Sequence, residues 1–462
     1  MGDNMIRFYL ALFLGKLSRI TIKLLHRFLK TQGSDFPGKL AMQICPDFLQ
    51  YVGKPETVIA ITGTNGKTTS TNLLSDILED CGYSVLSNRY GSNTKTGIAT
   101  CLLCGVSLRN RPRKDAAVLE VDERSSLLIY PYVQPDWLIC TNLTRDTITR
   151  NAHPYFIFDV INQAVPDKTV LVLNADDNIS SRLKPENRHF FYAIGMQEDD
   201  RREPFNLVND MRVCPHCLSP LQYRYVRYNH IGNAFCPVCG FHSPEPDFLI
   251  EKIDRRHGLM TAVFDGQEEA YPLLSNTIFN IYDETAIVAF LRRFGIPYKK
   301  VRDSLVSKHI VDSRLSVQKN GDISLISIMA KGGLPTSMSV VFDTIRSSPG
   351  SKEAVLMLED CHVMAHSIEN LCYLYDADFE FLTDPSITRL VIVGPHADDY
   401  RLRLLMAGMP EEKMHCLPDY AQIPAALERK KNQTIFFVYD LYYANLVKQI
   451  GDAILHQDTQ EA

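Results

Sequence analysis

The chain has 462 residues, too many for one ordinary core, so two or three domains are expected. Hydrophobic residues at 45% and charged residues at 22% exclude a largely disordered or collagen-like chain. With 49 Lys and Arg against 54 Asp and Glu, no global basic excess is present to hold nucleic acid, and the twelve cysteines call for an explanation of their own.

The first segment, residues 5–30, is apolar but interrupted. An uncharged block at 8–14 is followed by Lys16, Arg19, Lys23, Arg27 and Lys30. A membrane span needs about 20 mostly apolar residues, so this segment does not cross. Asp3 leads, the basic residues come after the apolar block, and no small-residue cleavage site follows, which excludes a secretory leader. The segment reads as a basic amphipathic helix, packed on the next domain or resting on a membrane surface. The expected setting is cytoplasmic, with reduced thiols and at most peripheral contact at the inner membrane face.

Next comes a buried-strand run at 58–61, then Gly63-Thr64-Asn65-Gly66-Lys67-Thr68-Thr69, then helical spacing over 71–78. Glycines let backbone N–H groups approach phosphate oxygens. The helix N-terminus favours negative charge, Lys67 adds a positive point charge, and the Thr68 hydroxyl suits Mg²⁺. Counted from Gly63, the loop is one residue shorter than the usual G-x-x-x-x-G-K-[ST]. Further strand-like runs fall at 116–121, 137–141, 169–174, 324–329, 354–358, 389–393 and 435–438. Helical stretches between them predict a mostly parallel α/β sheet. After a predicted helix at 283–294, a linker is expected near 305–320.

Between 201 and 247 the pattern changes to Cys, Pro, Tyr and His with little periodicity, which marks an inserted module. Cys214-Pro215-His216-Cys217 and Cys236-Pro237-Val238-Cys239 are two C-x-x-C knuckles 18 residues apart. Four thiolates at this spacing suit tetrahedral Zn²⁺, and a closed Cys₄ set is structural rather than catalytic. His216 and His230 read as surface or packing residues. Arg212, Arg224 and Arg227, interleaved with Tyr223, Tyr225 and Tyr228, read as a solvated face and not a nucleic-acid strip. Cys101 and Cys104 read as small buried hydrophobes on a helix.

Several motifs in this order resemble one family. The loop Thr62–Thr69 is similar to the ATP loop of the Mur ligase superfamily, ATP-dependent enzymes that form amide bonds. Around it stand Gly33-Ser34-Asp35-Phe36-Pro37-Gly38, Asn88-Arg89-Tyr90-Gly91-Ser92-Asn93, Leu119-Glu120-Val121-Asp122-Glu123, Thr141-Asn142-Leu143-Thr144-Arg145-Asp146 and Leu173-Asn174-Ala175-Asp176-Asp177. The four-Cys module and Tyr375-Asp376-Ala377-Asp378-Phe379-Glu380 narrow the resemblance to the MurT family, the synthetase subunits of lipid II isoglutaminyl synthases.

The resemblance implies a Mur-ligase-type ATPase domain with a mostly parallel sheet and an inserted Cys₄ zinc ribbon, followed by a smaller α/β domain. The expected boundaries are 1–54 for a helical segment packed on the ATPase domain, 55–305 for that domain with its insert at about 208–247, and 306–462 for a partner-docking domain. It implies amidation of the D-glutamate α-carboxylate of lipid II through an acyl phosphate. Ammonia would come from a separate GatD-type glutamine amidotransferase bound as a heterodimer. The alternatives are a Mur-like ligase with another amine or acceptor, and a non-catalytic ATP-binding scaffold.

Glu120 is the natural second Mg²⁺ ligand beside Thr68, since Mg²⁺ takes carboxylate and phosphate oxygens. Asn142 and Asp146 follow another strand and would orient metal-bound water or substrate. Asn174 and Asp177 match a nucleotide-contacting motif, though Asn178 replaces its usual Pro. Asn280 resembles an adenine-contacting Asn, with Asp283 where the family has a second Asn. Asp360 is the candidate that would complete the partner's Cys/His pair, by the logic of a third residue orienting a catalytic His. Its surroundings, 359–366, and the stretches at 309–315, 331–335 and 441–444 depart from the family pattern.

Overall fold

The computed structural model describes residues 2–29, 35–89, 91–146, 151, 153–308, 315–320, 323–330, 334–358, 371–428, 430, 432–440 and 443–457. The chain forms two compact units. The first comprises Met1–Thr144, Pro154–Glu203 and Met211–Ile310; the second comprises Arg145–His153, Pro204–Asp210 and Val311–Ala462. Two short segments inside 55–305 therefore join the second unit, where the sequence suggested one unbroken domain.

The first unit opens with α1 (Gly2–Leu29), α2 (Phe36–Ile44) and α3 (Phe48–Tyr51). It continues through β1 (Thr57–Thr62), α4 (Lys67–Asp80), β2 (Val85–Ser87), α5 (Lys95–Gly105), β3 (Ala116–Glu120), α6 (Ser126–Val133) and β4 (Trp137–Cys140). Then come α7 (Pro154–Ala164), β5 (Val170–Asn174), β6 (His189–Ile194), β7 (Gln222–Tyr228) and β8 (Ile231–Phe235). The unit closes with β9 (Phe248–Asp254), β10 (Leu259–Phe264), β11 (Gln267–Pro272), α8 (Ile278–Phe294) and α9 (Tyr298–Val306).

Its main sheet runs β11-β10-β9-β6-β5-β4-β1-β3-β2. β1 through β6 and β9 pair in parallel, and β10 and β11 add an antiparallel edge. The central strands Val58–Ile61 and Ala116–Leu119 are buried on both faces, which is why they read as continuous apolar runs. β1 lies between β3 and β4, so the chain leaves it in opposite directions, and open α/β sheets bind ligands at such a reversal.

The N-terminal helices close one side of this core. Phe8, Ala11 and Leu12 are buried with Phe48, Ile98 and Leu102, and the Phe8 and Phe48 rings stack at 5.4 Å. Lys16 Nζ donates to the carbonyls of Leu103 (2.8 Å) and Val106 (2.7 Å), holding the C-terminal end of α5 where a cation is favoured.

The second unit holds β12 (Leu315–Asn320), β13 (Ile323–Met329), α10 (Pro335–Ser347), β14 (Lys352–Met357), α11 (Tyr373–Asp376), β15 (Ile387–Val393), α12 (Ala397–Met406), β16 (Met414–Leu417), α13 (Ile423–Ala426), β17 (Thr434–Tyr439) and α14 (Ala444–Gln457). Its sheet runs β12-β13-β17-β14-β15-β16, parallel except for the β12 edge. The expected linker at 305–320 is corrected in part. Residues 315–320 are β12, a strand whose polar Gln318, Lys319 and Asn320 mask the pattern; 309–314 lie outside the described residues.

Two anchors explain why 145–153 and 204–210 belong to this unit, and a third braces the acidic segment that they use. Arg145 Nε donates to Asp210 (2.9 Å), and its guanidinium also bonds Asp376. Asp378 accepts from Asn206 Nδ2 (2.6 Å), Leu207 N (2.7 Å) and Val208 N (3.1 Å). Glu380 pairs with buried Arg403 at 2.9 Å through both oxygens. The acidic segment 376–380 is thus a set of structural clamps.

Candidate active site

The loop after β1 is shaped by two glycines that no other residue replaces. Gly63 has φ +128°, and a Cβ there would meet Thr141 Oγ1 at 2.2 Å. Gly66 has φ +86° and precedes α4; its Cβ would lie 1.9 Å from Asp283 Oδ1.

Between them, the 141–144 segment after β4 braces the loop. Thr64 N donates to Asn142 O (2.8 Å) and Asn65 N to Asn142 Oδ1 (3.1 Å). Asn142 Nδ2 and Thr141 Oγ1 return bonds to Asn65 O at 3.1 and 2.6 Å. The amides of Thr64 and Asn65 are therefore engaged by protein, and Asn142 is a brace for the loop. Ser70 N donates to Gly66 O, which begins the helix. By helix geometry the amides of the first turn, 67–69, have no intrahelical acceptor and aim out of its positive end.

Lys67 is buried, and its Nζ donates to Gly63 O and to Glu123 Oε1 (2.5 Å), with a long contact to Thr64 O at 3.5 Å. Glu123 is the residue that sequence reasoning left without a role. The signal available was a second carboxylate three residues after Glu120.

The Thr68 hydroxyl meets Glu120 Oε2 at 2.9 Å, across 52 residues of sequence. Glu120 Oε1 accepts from Asn93 Nδ2 (3.0 Å), and Asn88 clamps the Glu120 backbone from both sides at 2.8 Å. Asn88 and Asn93 are further positioning residues. A hydroxyl and a half-exposed carboxylate facing one point beside the first turn of a helix form the oxygen donor set that Mg²⁺ prefers.

The end of β5 differs from expectation. Asp177 is fully buried and accepts from Leu143 N (2.7 Å), Ile179 N (2.9 Å), Ser180 N (3.1 Å) and His230 Nε2 (2.9 Å). Burial pushes its carboxyl up, but the bond and charge of His230, with Ser180 and the Leu143 amide, outweigh this and hold it below the usual range. Asn174 Oδ1 caps Asp176 N at 3.0 Å and is 1% exposed. Both side chains, expected to touch nucleotide, are turned inward and used to hold the loop. Asn280 sits at the start of α8, where its Nδ2 donates to Ser275 Oγ (3.1 Å). Asp146 is buried and accepts from Asn151 (2.9 Å) within the second unit. Asp360 lies outside the described residues.

The four expected cysteines converge. Their sulfurs lie within 4.8 Å of one another, with Cys214–Cys239 at 3.4 Å and Cys217–Cys236 at 3.5 Å. A tetrahedral zinc site, with Zn–S of about 2.3 Å, places its sulfurs about 3.8 Å apart. Each knuckle turns through a left-handed residue, Gly240 (φ +79°) in one and Leu218 (φ +62°) in the other. The other cysteines among the described residues, Cys101 and Cys104 of α5 included, form no disulfide.

The arginine strip is corrected. Arg227 is buried, not solvated. It donates to Asp176 (3.0 Å), Asp200 (2.7 Å), Tyr282 OH (2.6 Å) and Gly195 O (2.6 Å). Tyr225 OH donates to Asp176 (2.7 Å), while Arg212 and Arg224 remain exposed. His230 is likewise interior. Asn178 supplies the last link: its Nδ2 donates to His230 O (2.9 Å) and Gly232 O (3.0 Å), and its Oδ1 accepts from Ser243 (2.7 Å). A proline at 178 has no side chain able to make these bonds, so the departure from the family motif ties the hairpin to the loop after β5.

A central parallel strand, a glycine turn and a helix start, with lysine, hydroxyl and carboxylate converging, define a phosphate-binding α/β fold. Residues 61–211 match the Mur ligase middle domain, and residues 334–444 match the MurT ligase C-terminal family. The chain is 29% identical over 425 residues to the MurT subunit of lipid II isoglutaminyl synthase (glutamine-hydrolyzing) of Streptococcus pneumoniae, covering 91% of this chain and 92% of that one. The corresponding Staphylococcus aureus subunit is 28% identical over 403 residues, 87% of this chain and 88% of its own. In fold, the chain is similar to a pseudomurein peptide ligase type C from Methanothermus fervidus (TM-score 0.66, 21% identity, 88% of this chain and 81% of that). It is also similar to a MurF ligase from Thermotoga maritima in complex with ADP (TM-score 0.58, 14% identity, 93% and 86%). The chain thus carries a Mur ligase middle domain and a MurT ligase C-terminal domain, and it is similar over most of its length to MurT subunits.

Proposed function

We propose that the protein is the synthetase subunit of a lipid II-amidating enzyme. It converts the D-glutamate α-carboxylate of the stem peptide to D-isoglutamine, with ATP as the driving reactant. The observation that carries this reading is the meeting of Thr68 and Glu120 at 2.9 Å beside buried Lys67 at the N-terminus of α4. The full-length similarity to subunits named for this reaction supports the choice of substrate.

The chemistry follows from charge. A carboxylate oxygen attacks the γ-phosphorus and ADP leaves, giving an acyl phosphate. Ammonia then attacks the acyl carbon, loses a proton, and phosphate leaves as the C–N bond forms. Both reactants of the first step are anionic, so positioning and neutralisation dominate. The first-turn amides of α4 and the Lys67 ammonium receive phosphate oxygens, and Glu123 holds the ammonium in place beforehand. Thr68 and Glu120 would hold Mg²⁺, which neutralises phosphoryl charge. Cys214, Cys217, Cys236 and Cys239 would hold a structural Zn²⁺ that keeps the β7–β8 hairpin folded.

A GatD-type glutamine amidotransferase would supply the ammonia, with Asp360 completing its Cys/His pair. The test is incubation with lipid II, MgATP and either ammonia or glutamine plus the amidotransferase, read by mass. Replacing OH with NH₂ lowers the mass by about one unit. Asp360→Ala is expected to retain ammonia-driven and lose glutamine-driven amidation. ATP turnover with another acceptor, and no mass change on lipid II, would favour a Mur-like ligase of different acceptor. ATP binding with no turnover on any carboxylate would favour a scaffold.

A further inference from the structure

Packing on the next domain, one of the two readings of the N-terminal helix, uses only one face of the element. The inner face of α1 is docked: Phe8, Ala11 and Leu12 are buried, Gly15 lies against Leu103, and Lys16 bonds the end of α5. The opposite face carries Ile6, Leu10, Phe13, Leu17, Ile20 and Leu24, whose exposures run from 49% to 69%. Their spacing alternates between four and three residues. At 100° per residue they occupy an arc of about 80° along a helix about 42 Å long. Six large apolar side chains in one unbroken line are far more than scattered surface hydrophobes.

We propose that this face of α1 lies in the plane of an anionic lipid surface. Charge selects that occupant. Besides the docked Lys16, residues 1–30 contain five Lys and Arg against a single Asp, in a chain whose net charge is −5. A basic segment with an apolar stripe is attracted to acidic headgroups and inserts its stripe at the acyl boundary. A second copy of the same helix would bring like charge against like charge. No helix among the described residues is long and apolar enough to cross a membrane, so the contact is in-plane. The inference stands on the helix alone and not on the reaction proposed above, because its readout is binding.

The test uses the full chain with vesicles of phosphatidylcholine, alone or with about one-third phosphatidylglycerol, read by flotation. The unaltered chain is expected to float with the anionic vesicles and to be released by high salt. Leu10→Glu/Phe13→Glu/Leu17→Glu is expected to bind at least about tenfold more weakly at an unchanged melting temperature, since these side chains face solvent. Should that variant lose its melting transition, Leu10→Gln/Leu17→Gln carries the comparison. The proposal is overturned if the unaltered chain stays in solution with both vesicles, or if the variants float equally well. A lipid-free dimer that the variants dissociate would also overturn it, by assigning the face to a second copy.

Discussion

At the end of β3, Glu120 has a hydroxyl on one oxygen, an amide on the other and partial access to solvent. At the end of β5, across β1, Asp177 is sealed and meets four donors, while neighbouring Asp176 receives Tyr225, Tyr282, Arg227 and the Ile194 amide. Both strand ends carry acids in motifs that look like ligand contacts. Only the first leaves its acid accessible, with one oxygen on a hydroxyl that a cation can share. The second is a joint, fastening the cysteine hairpin to the sheet. An acidic motif at a strand end thus signals a ligand only after the surrounding donors are counted.

The strongest way to break this contrast acts on Lys67. Lys67→Ala is expected to lower turnover at least about 10³-fold, because phosphoryl charge loses its fixed cation. It also leaves Glu123 buried without that cation, costing about 3–5 kcal/mol in denaturant melts. Lys67→Ala/Glu123→Gln is expected to recover most of the stability and none of the activity. Retained turnover in the single variant would remove the loop from the reaction.

The next comparison sets the two strand ends against each other. Asp177→Ala is expected to cost about 3–5 kcal/mol, since it strands buried donors. Glu120→Ala is expected to stay within about 1 kcal/mol in melting, yet to cut turnover about 10²-fold and raise the Mg²⁺ requirement. Equal melting losses would erase the distinction.

The pH dependence of stability sharpens it further. Glu284 of α8 is fully buried, with one oxygen on Leu274 N (3.0 Å), and burial pushes its carboxyl up to about 8. The native state therefore holds a proton that the unfolded chain releases near the ordinary carboxyl range. Its stabilising effect is present in acid and lost as pH rises toward about 8, by roughly 5 kcal/mol. Asp177, held below the usual range, contributes with the opposite slope, and its part is lost as pH falls. Thermal melts across this range are expected to lose the alkaline decline in Glu284→Gln alone.

The smallest expected effect lies in the cysteine knuckles. Leu218 adopts the left-handed conformation that Gly240 supplies in the second knuckle. Leu218→Gly is expected to stabilise the protein by no more than about 1 kcal/mol, the steric relief being partly offset by a freer unfolded chain.

Much of this was legible in the sequence. Apolar runs exposed the central parallel strands, and glycine and cysteine spacing exposed the phosphate loop and the Cys₄ cluster, because each depends on neighbours close in sequence. Residues acting through distant partners were not legible. Arg227 looked like surface because its acceptors, Asp176, Asp200 and Tyr282, come from three separate segments. Glu123 and Asn88 gave no sign of their partners, and Asp177 passed for a ligand because its donors are spread from Leu143 to His230.

The clamp between Asn206 and Asp378 spans 172 residues, and it sets an order of events during synthesis. At about 5–20 residues per second, the segment 204–210 leaves the ribosome roughly 10–30 s before its acceptor exists. The first sheet can pair its early strands during that interval, whereas the second unit gains its two borrowed segments only near the end of translation. A chain stopped near residue 310 would hold Asn206 without the Asp378 carboxylate, and Arg145 with Asp210 alone of its two clamps. Truncation at the boundary suggested by sequence would therefore leave 145–153 and 204–210 in the shortened chain without the sheet of the unit they belong to.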